Sequence, residues 1–532
     1  MRLRWLVPFL LLTVLLPIVS SAQSVERLRI GVTSDESTIN PYTYVTGYPG
    51  WNLLLLQYDT LYQFDADGVP QPWLVSNSEQ SDDGLSVTLT LREDVMWHDG
   101  EQLTAEDVVF TVEYFKEFNH GRFTRDLNSV ESVEMDSEFG VTFTLSAPDP
   151  SLEMATFADV PIMPEHVWSG IPDPNAEDAE FSIDQNIGSG PYKISQYEPD
   201  QFYVFEANSN YFMGVPTVDE LVFIEYADTA GSLAALQSGE VDMLVQSVPP
   251  EQADLLGGMG DIEIVQGPLF TTNMIIYDME QAPFNNQTVR EAMALAINRD
   301  DIVDTVFLGA ATTGNIGWIH PVSTFYNDEV QVDFNVDEAN VLLDEAGIID
   351  SDGDGIRELD GEPISFEFLA ASDNALRIRI AELVSEMLTE IGIDAEVVVM
   401  ERTAQVQAVW PDFDVSQGRD YQMAMFGWSA PVQANPVRIS SLVHSDPSIG
   451  VLNLSGYVNE AADALAVELT QTIDPIRQQE LMNELQAIIA TDLPFIMIAY
   501  PDGLYGYRSS VYGDWTFMAG QGVFHKLSFL TQ

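Results

Sequence analysis

The stretch DSDGDGIRELDGE, Asp350 to Glu362, sets three aspartates at alternate positions ahead of a glycine. Numbered as an EF-hand loop, Asp350, Asp352 and Asp354 fill positions 1, 3 and 5, and Gly355 fills position 6. The Ile356 carbonyl and Glu358 would complete an oxygen set for calcium. Position 12, which needs a bidentate glutamate, is Gly361, and Glu362 comes one place late. The flanks disagree as well. Upstream, VDEANVLLDEAG reads as a helix ending at Gly347; downstream, PISFEFLA alternates as a strand. The expected structure is a connector whose aspartates bond their own backbone. Structural calcium through Asp350, Asp352, Asp354, Ile356 and Glu358 is the alternative, and no cofactor is required.

Other chemistries find less support. The six histidines, His98, His120, His166, His320, His444 and His525, are not spaced as a paired ligand set, which argues against nickel. His98, in Trp97-His98-Asp99-Gly100, has no accompanying nucleophile or acid, and the Asp-Gly pair supplies a turn. Gly188-Ser189-Gly190-Pro191-Tyr192 enters a strand and lacks the helix and lysine of a phosphate loop. There is no Gly-x-Ser-x-Gly elbow and no His-Glu-x-x-His pair. With 84 acidic residues, chance carboxylate pairs are everywhere, so a secreted hydrolase is only a remote alternative. The absence of cysteine excludes thiolate zinc sites, cysteine nucleophiles and a lipid on an N-terminal cysteine.

The elements that must hold any site are legible as periodic segments. Leu85 to Leu91 alternates as a strand. Thr-Ala-Glu-Asp from Thr104 is a capping box that opens a helix with Val108, Val112 and Phe115 on one face. VREAMALAINRDDIV (Val289 to Val303) and LRIRIAELVSEMLTEIG (Leu376 to Gly392) have helical periodicity, and Gly392 ends the second. IDAEVVVM (Ile393 to Met400) alternates as a strand, Arg477 to Ala490 reads as a helix, and PFIMIAY (Pro494 to Tyr500) as a short buried strand. The mixture is α/β.

Arg2 and Arg4, the apolar run Leu6 to Ile18 and the small residues Ser20 and Ala22 make residues 1–22 a secretory signal peptide by pattern. The expected mature protein is exported, periplasmic or at the cell surface, and soluble. Its 84 acids against 20 bases give a net charge of −64. Such a surface repels nucleic acid and, at low salt, itself, and suggests a saline habitat.

Four stretches together resemble one family. They are LREDVMWHDGEQLTAEDVVFTVEYF (Leu91 to Phe115), IGSGPYKISQYEPDQFYVFEANSNYFMGVPTVDELVF (Ile187 to Phe223), SLAALQSGEVDML (Ser232 to Leu244) and VREAMALAINRDDIV. The chain is similar in these to the extracytoplasmic solute-binding proteins of family 5, the peptide/nickel type that serves ABC importers. The resemblance implies a periplasmic-binding-protein-like type II (class C) fold, with two lobes around a ligand cleft. Lobe I would comprise 24–50, 185–270 and 498–532, an extra domain 51–184, and lobe II 271–497. A monomer would work with separate permease and ATPase subunits, capturing its ligand by hinge closure.

In this family the segment MAMFGWSAPVQANPVRISSLVHS (Met423 to Ser445) would face the ligand. Peptide-binding members carry an acid three residues after the tryptophan to pair with the peptide's amino terminus. Here that position is Pro431, and no acid occurs from Tyr421 to Ser445. Asp35 and Glu36 are candidates for an acid that serves the peptide amine instead. Trp428, Ser429, Gln433 and Asn435, with Tyr42, Tyr44, Tyr48 and Trp51 opposite, would also suit a neutral ring such as a cellobiose-like oligosaccharide. Peptide is the leading expectation and oligosaccharide the alternative.

Overall fold

The computed structural model describes residues 25–44, 49–176, 181–429 and 435–531. The expected signal peptide, together with Tyr48, Pro431 and Gln433, lies outside the described residues. No helix among those described is long and apolar enough to cross a membrane.

Most periodic segments form where their patterns place them. The strand Ser86–Leu91 buries Val87, Leu89 and Leu91 and exposes the residues between. Asp107 accepts the Thr104 N–H at 2.9 Å and Thr104 Oγ1 accepts the Glu106 N–H at 3.3 Å, opening the helix Ala105–Glu117. Asp107 also accepts the Glu165 N–H at 2.9 Å, so this cap anchors a neighbouring segment too. The helix Ala375–Thr389 begins on an Asn374 cap and is followed by Gly392 at φ +72°, where a side chain would be strained.

Among the described residues, twelve strands join into one continuous sheet through a single long strand, Phe495–Arg508. Its first half pairs with Asn273–Tyr277 and Ala311–Thr313. Beyond Asn273–Tyr277 lie Met423–Phe426, Ser365–Ala371 and Asp394–Met400. Its second half pairs with Ile262–Pro268 and Met243–Leu244. Beyond those come Leu28–Val32, Glu220–Glu225, Phe202–Ala207 and Tyr192–Glu198. The sequence predicts a strand ending at Tyr500, whereas the structure carries it eight residues further, to Arg508. Pro501, Gly503 and Gly506 conceal this continuation, because they break the alternating pattern while the ladder with Ile262–Pro268 goes on.

The passage between the two halves of the sheet is narrow. Gly267 stands opposite Gly503 in the ladder. A Cβ on Gly267 would lie 2.6 Å from the Phe517 ring, and one on Gly503 would lie 2.7 Å from Tyr505. Both glycines are therefore explained by close packing at the crossing. Phe270, between the paired strands, sits at φ +59°, a conformation that disfavours a bulky residue by about 1–2 kcal/mol.

Separate apolar clusters cover the faces of the sheet around Asn273–Tyr277, Ser365–Ala371 and Met423–Phe426, and a smaller one lies under the helices Thr229–Ser238 and Pro250–Leu256. Segment 51–184 builds its own four-stranded sheet, in the order Val75–Gln80, Ser86–Leu91, Gly140–Leu145, Val130–Ser137. Its apolar residues form one cluster with Leu28, Ile30, Phe223 and Phe529, so segment 51–184 shares a core with the part of the sheet built on the second half of Phe495–Arg508.

Candidate functional site

Trp428 follows the strand Met423–Phe426 and is held there by the backbone at the crossing. Its N–H donates to Thr272 Oγ1 at 2.7 Å, and its carbonyl accepts the Thr272 N–H at 3.1 Å. A Cβ on the preceding Gly427 would fall 1.9 Å from the Thr272 carbonyl oxygen and 2.3 Å from Arg377 Nη2, so only glycine fits this approach. Arg377 donates from Nε to Asn273 Oδ1 at 2.9 Å and from Nη2 to the Thr272 carbonyl at 3.3 Å. Burial, with Arg402 nearby, lowers its pKa to about 10. The indole of Trp428 is half-buried and meets Phe426 and Trp410 edge to face, with centroids 5.3 and 5.6 Å apart. Ser429 is exposed. Asn435 reaches segment 51–184, its Nδ2 donating to Ser151 Oγ at 3.0 Å, while its Oδ1 accepts the N–H of nearby Val437 at 3.1 Å.

On the facing side, Tyr42, Tyr44 and Trp51 do come together, but packed on one another's neighbours. Tyr42 donates its hydroxyl to the Phe118 carbonyl at 2.8 Å and stacks on Phe115 at 5.5 Å. Tyr44 stacks on His120, and Trp51 packs against Tyr44 and Phe123. Tyr44 and Trp51 are 5% and 7% exposed, too little to offer a ring face to a sugar. One face of Trp51 carries the Arg122 guanidinium at 4.1 Å.

The charged groups around Arg122 escaped sequence reasoning. Arg122 binds Asp159 in bidentate fashion at 2.6 and 2.5 Å. Asp126, in the short helix Phe123–Asp126, lies beside both; burial and the Asp159 carboxylate raise its pKa to about 6, against Arg125 and Arg122. Opposite them, Arg438 ends the turn Pro436–Arg438 and feels the charges of Arg125 and Asp126. The signal available was scarcity: with 20 bases in the chain, arginines at 122, 125 and 438 were worth separate attention.

The two acids named as substitutes for Pro431 are already engaged. Asp35 accepts hydrogen bonds from Tyr203 Oη (2.5 Å), Tyr197 Oη (3.0 Å), the Asp200 N–H (2.8 Å) and the Ser37 N–H (2.7 Å). These donors hold its pKa below the usual value although burial opposes them. Glu36 is buried and accepts from Ser34 Oγ at 2.6 Å. His98 is likewise structural. Its Nδ1 accepts the Gly188 N–H at 3.1 Å, which leaves the Nε2–H to donate to the Gly190 carbonyl at 3.0 Å. Burial lowers its pKa to about 4, so the ring is neutral.

In the aspartate loop, carboxylate oxygens of Asp350, Asp352 and Glu358 lie within 4.8 Å of one another. Asp350 accepts the Gly353 and Gly355 N–H groups (2.6 and 2.9 Å), Asp352 the Asp354 N–H (3.1 Å), and Glu358 the Ser351 N–H (2.8 Å). Asp354 is outside this group and accepts the Ile356 N–H at 2.8 Å. The flanks are the helix Val336–Glu345 and the strand Ser365–Ala371, with the two-residue strands Glu358–Leu359 and Glu362–Pro363 paired between them.

The description "Bacterial extracellular solute-binding proteins, family 5 Middle" matches residues 69–449. The oligopeptide-binding protein AppA of Bacillus subtilis is 28% identical over 436 residues, covering 81% of this chain and 78% of AppA. Heme-binding protein A of Haemophilus influenzae is 26% identical over 506 residues, covering 86% and 85%. The solved structure of B. subtilis AppA in complex with a nonapeptide superposes with a TM-score of 0.71 at 25% identity, covering 96% of this chain and all of that one.

Proposed function

Since the chain belongs to the bacterial extracellular solute-binding proteins of family 5, we propose that it is the receptor of an ABC importer for peptides. It has the two-lobed fold of that family and serves as an ABC transporter substrate-binding protein of the peptide, nickel, heme or glutathione type. In this reading lobe I (24–50, 185–270, 498–532), with its insert 51–184, closes on lobe II (271–497) about the crossing strands. The ligand lies between Trp428 and the Arg122–Asp159 face, and the closed form is presented to separate permease and ATPase subunits.

The observation that supports a peptide over a sugar is the character of the boundary. Asn435 and Ser151 bring the insert and lobe II together beside charged groups of both signs, Arg438 on one side and Asp126, Asp159, Arg122 and Arg125 on the other. Ionic groups recognise a ligand with charged ends, whereas a neutral oligosaccharide would leave them desolvated and unanswered. The sugar reading drew on open tyrosine and tryptophan faces, and those of Tyr44 and Trp51 are covered. Closure follows if ligand contacts both lobes, because only the closed state then gains both sets of contacts.

Small-angle scattering tests this. A pool of tri- to nonapeptides is expected to reduce the radius of gyration, and cellobiose and longer cello-oligosaccharides to leave it unchanged. Compaction by the sugars alone would overturn the peptide assignment.

A further inference from the structure

Arg438 stands apart from every other described arginine. Arg29, Arg92, Arg122, Arg125, Arg357, Arg379, Arg402, Arg419, Arg477 and Arg508 are paired with acids. So is Arg27, while Arg290, Arg299 and Arg377 donate to carbonyl or amide oxygens. The Arg438 guanidinium makes no hydrogen bond and no ion pair with any described residue. In a chain with 84 acids and 20 bases, partners for an arginine are abundant, so one without a partner among the described residues, at a half-buried position, is unexpected. Burying an uncompensated charge is unfavourable, and a ligand anion would remove that penalty.

Its position is defined by the backbone. The Arg438 N–H donates to the Asn435 carbonyl at 2.9 Å, and the Arg438 carbonyl accepts from Ser441 Oγ at 2.6 Å, fixing the turn from which the side chain leaves. The same turn holds Asn435 against Ser151 of the insert. Arg125 adds a second positive charge, and its side chain is 59% exposed and only loosely joined to Asp126, at 3.4 Å. Among the described residues, Asp126 is the one acid acting on Arg438, and it shares its own surroundings with Asp159 and Arg122.

We infer that Arg438 is the specificity residue that receives an anionic group of the ligand, a carboxylate such as a peptide's carboxy terminus, at the boundary between lobe II and the insert. This rests on the peptide reading above. The planar guanidinium offers a two-pronged donor to a carboxylate. The ligand's negative end thereby takes the place of the internal acid that every other ion-paired arginine has. Recognition at this turn is by positive charge, consistent with the absence of any acid from Tyr421 to Ser445.

The test compares a defined pool of tri- to pentapeptides bearing free carboxylates with the same pool amidated, by native mass spectrometry and calorimetry. The full chain is used as wild type, Arg438→Gln and Arg438→Lys. Wild type is expected to prefer the free acids by about 10- to 100-fold, as befits a hydrogen bond to a charged group. Arg438→Gln should bind both pools alike, at the amide level, with its melting temperature unchanged, and Arg438→Lys should restore part of the preference. Equal binding of acid and amide by wild type overturns the inference and leaves the peptide reading standing. A preference that survives in Arg438→Gln overturns it too. If Arg438→Gln melts early, the Arg438→Lys comparison decides, since loss of preference there with normal melting contradicts a charge-reading role. Binding of neither pool by wild type overturns the peptide reading and this inference with it.

Discussion

Lys526 Nζ lies 2.5 Å from Asp59 Oδ1, and neither side chain is more than 1% exposed. The same Asp59 accepts from Tyr211 Oη at 2.8 Å, Trp73 Nε1 at 3.0 Å and Ser189 Oγ at 2.9 Å, so its carboxylate is saturated. The pair joins the C-terminal segment to the turn after the helix Gly50–Gln57, across 467 residues of chain. Burial lowers the lysine's pKa, and Asp59 pulls it back up.

Breaking this pair from one side strands a buried charge. Asp59→Asn and Lys526→Met are each expected to destabilise the fold by about 3–5 kcal/mol. The double variant should lose less than the two losses added together, because it leaves neither charge alone. Urea unfolding of the four proteins measures this, and strict additivity would show that the pair acts as two independent groups.

Asp126 makes stability depend on pH in the opposite sense to an ordinary paired carboxylate. Its folded pKa of about 6 exceeds the ordinary 3.8, so the folded state keeps the proton through the window between those values while the unfolded state releases it. Stability conferred by that proton is complete below pH 3.8 and is lost as pH rises through 6. Its side chain is 9% exposed, so solvent screens it little. Asp126→Asn is expected to stabilise the protein by about 1–3 kcal/mol at pH 7.5 and by little below pH 4. Urea midpoints at the two pH values check it, and an equal effect at both would contradict a raised Asp126.

How far sequence reached depends on how local each interaction is. The capping box at Thr104, the cap Asn374 and the terminating Gly392 are set within one helical turn, and pattern reading finds them. The roles of Gly188 and Gly190 are different. Their absent side chains make room for the Gln57 and Leu56 carbonyls, more than 130 residues earlier, and nothing nearby in sequence announces this. Lys526–Asp59 and Arg122–Asp159 are likewise long-range. Tyr42, Tyr44 and Trp51 have the composition of a ring-binding platform, yet whether a ring is a platform or a core depends on what lies across from it. Here that is Phe115, His120 and Phe123.

A net charge of −64 should make stability rise with salt. Screening shortens from about 10 Å at 0.1 M to about 3 Å at 1 M, which weakens repulsion between surface acids more than it weakens the buried pairs. The melting temperature is expected to rise by more than about 5 °C between roughly 0.1 and 2 M sodium chloride. A flat or falling curve would contradict salt adaptation.

The aspartate loop supplies its own partners, since Asp350, Asp352, Asp354 and Glu358 each accept a backbone N–H. Millimolar calcium is accordingly expected to shift the melting temperature by less than about 1 °C. A saturable one-to-one heat in calorimetry would instead make Asp350, Asp352 and Glu358 a calcium site.

The claim that this receptor carries peptides is tested most directly by native mass spectrometry of the protein purified from its own host without denaturation. Bound species should differ by amino-acid residue masses and fragment as peptides with free carboxy termini. A series spaced by hexose units, or a single metal or heme adduct without peptide, would contradict the account.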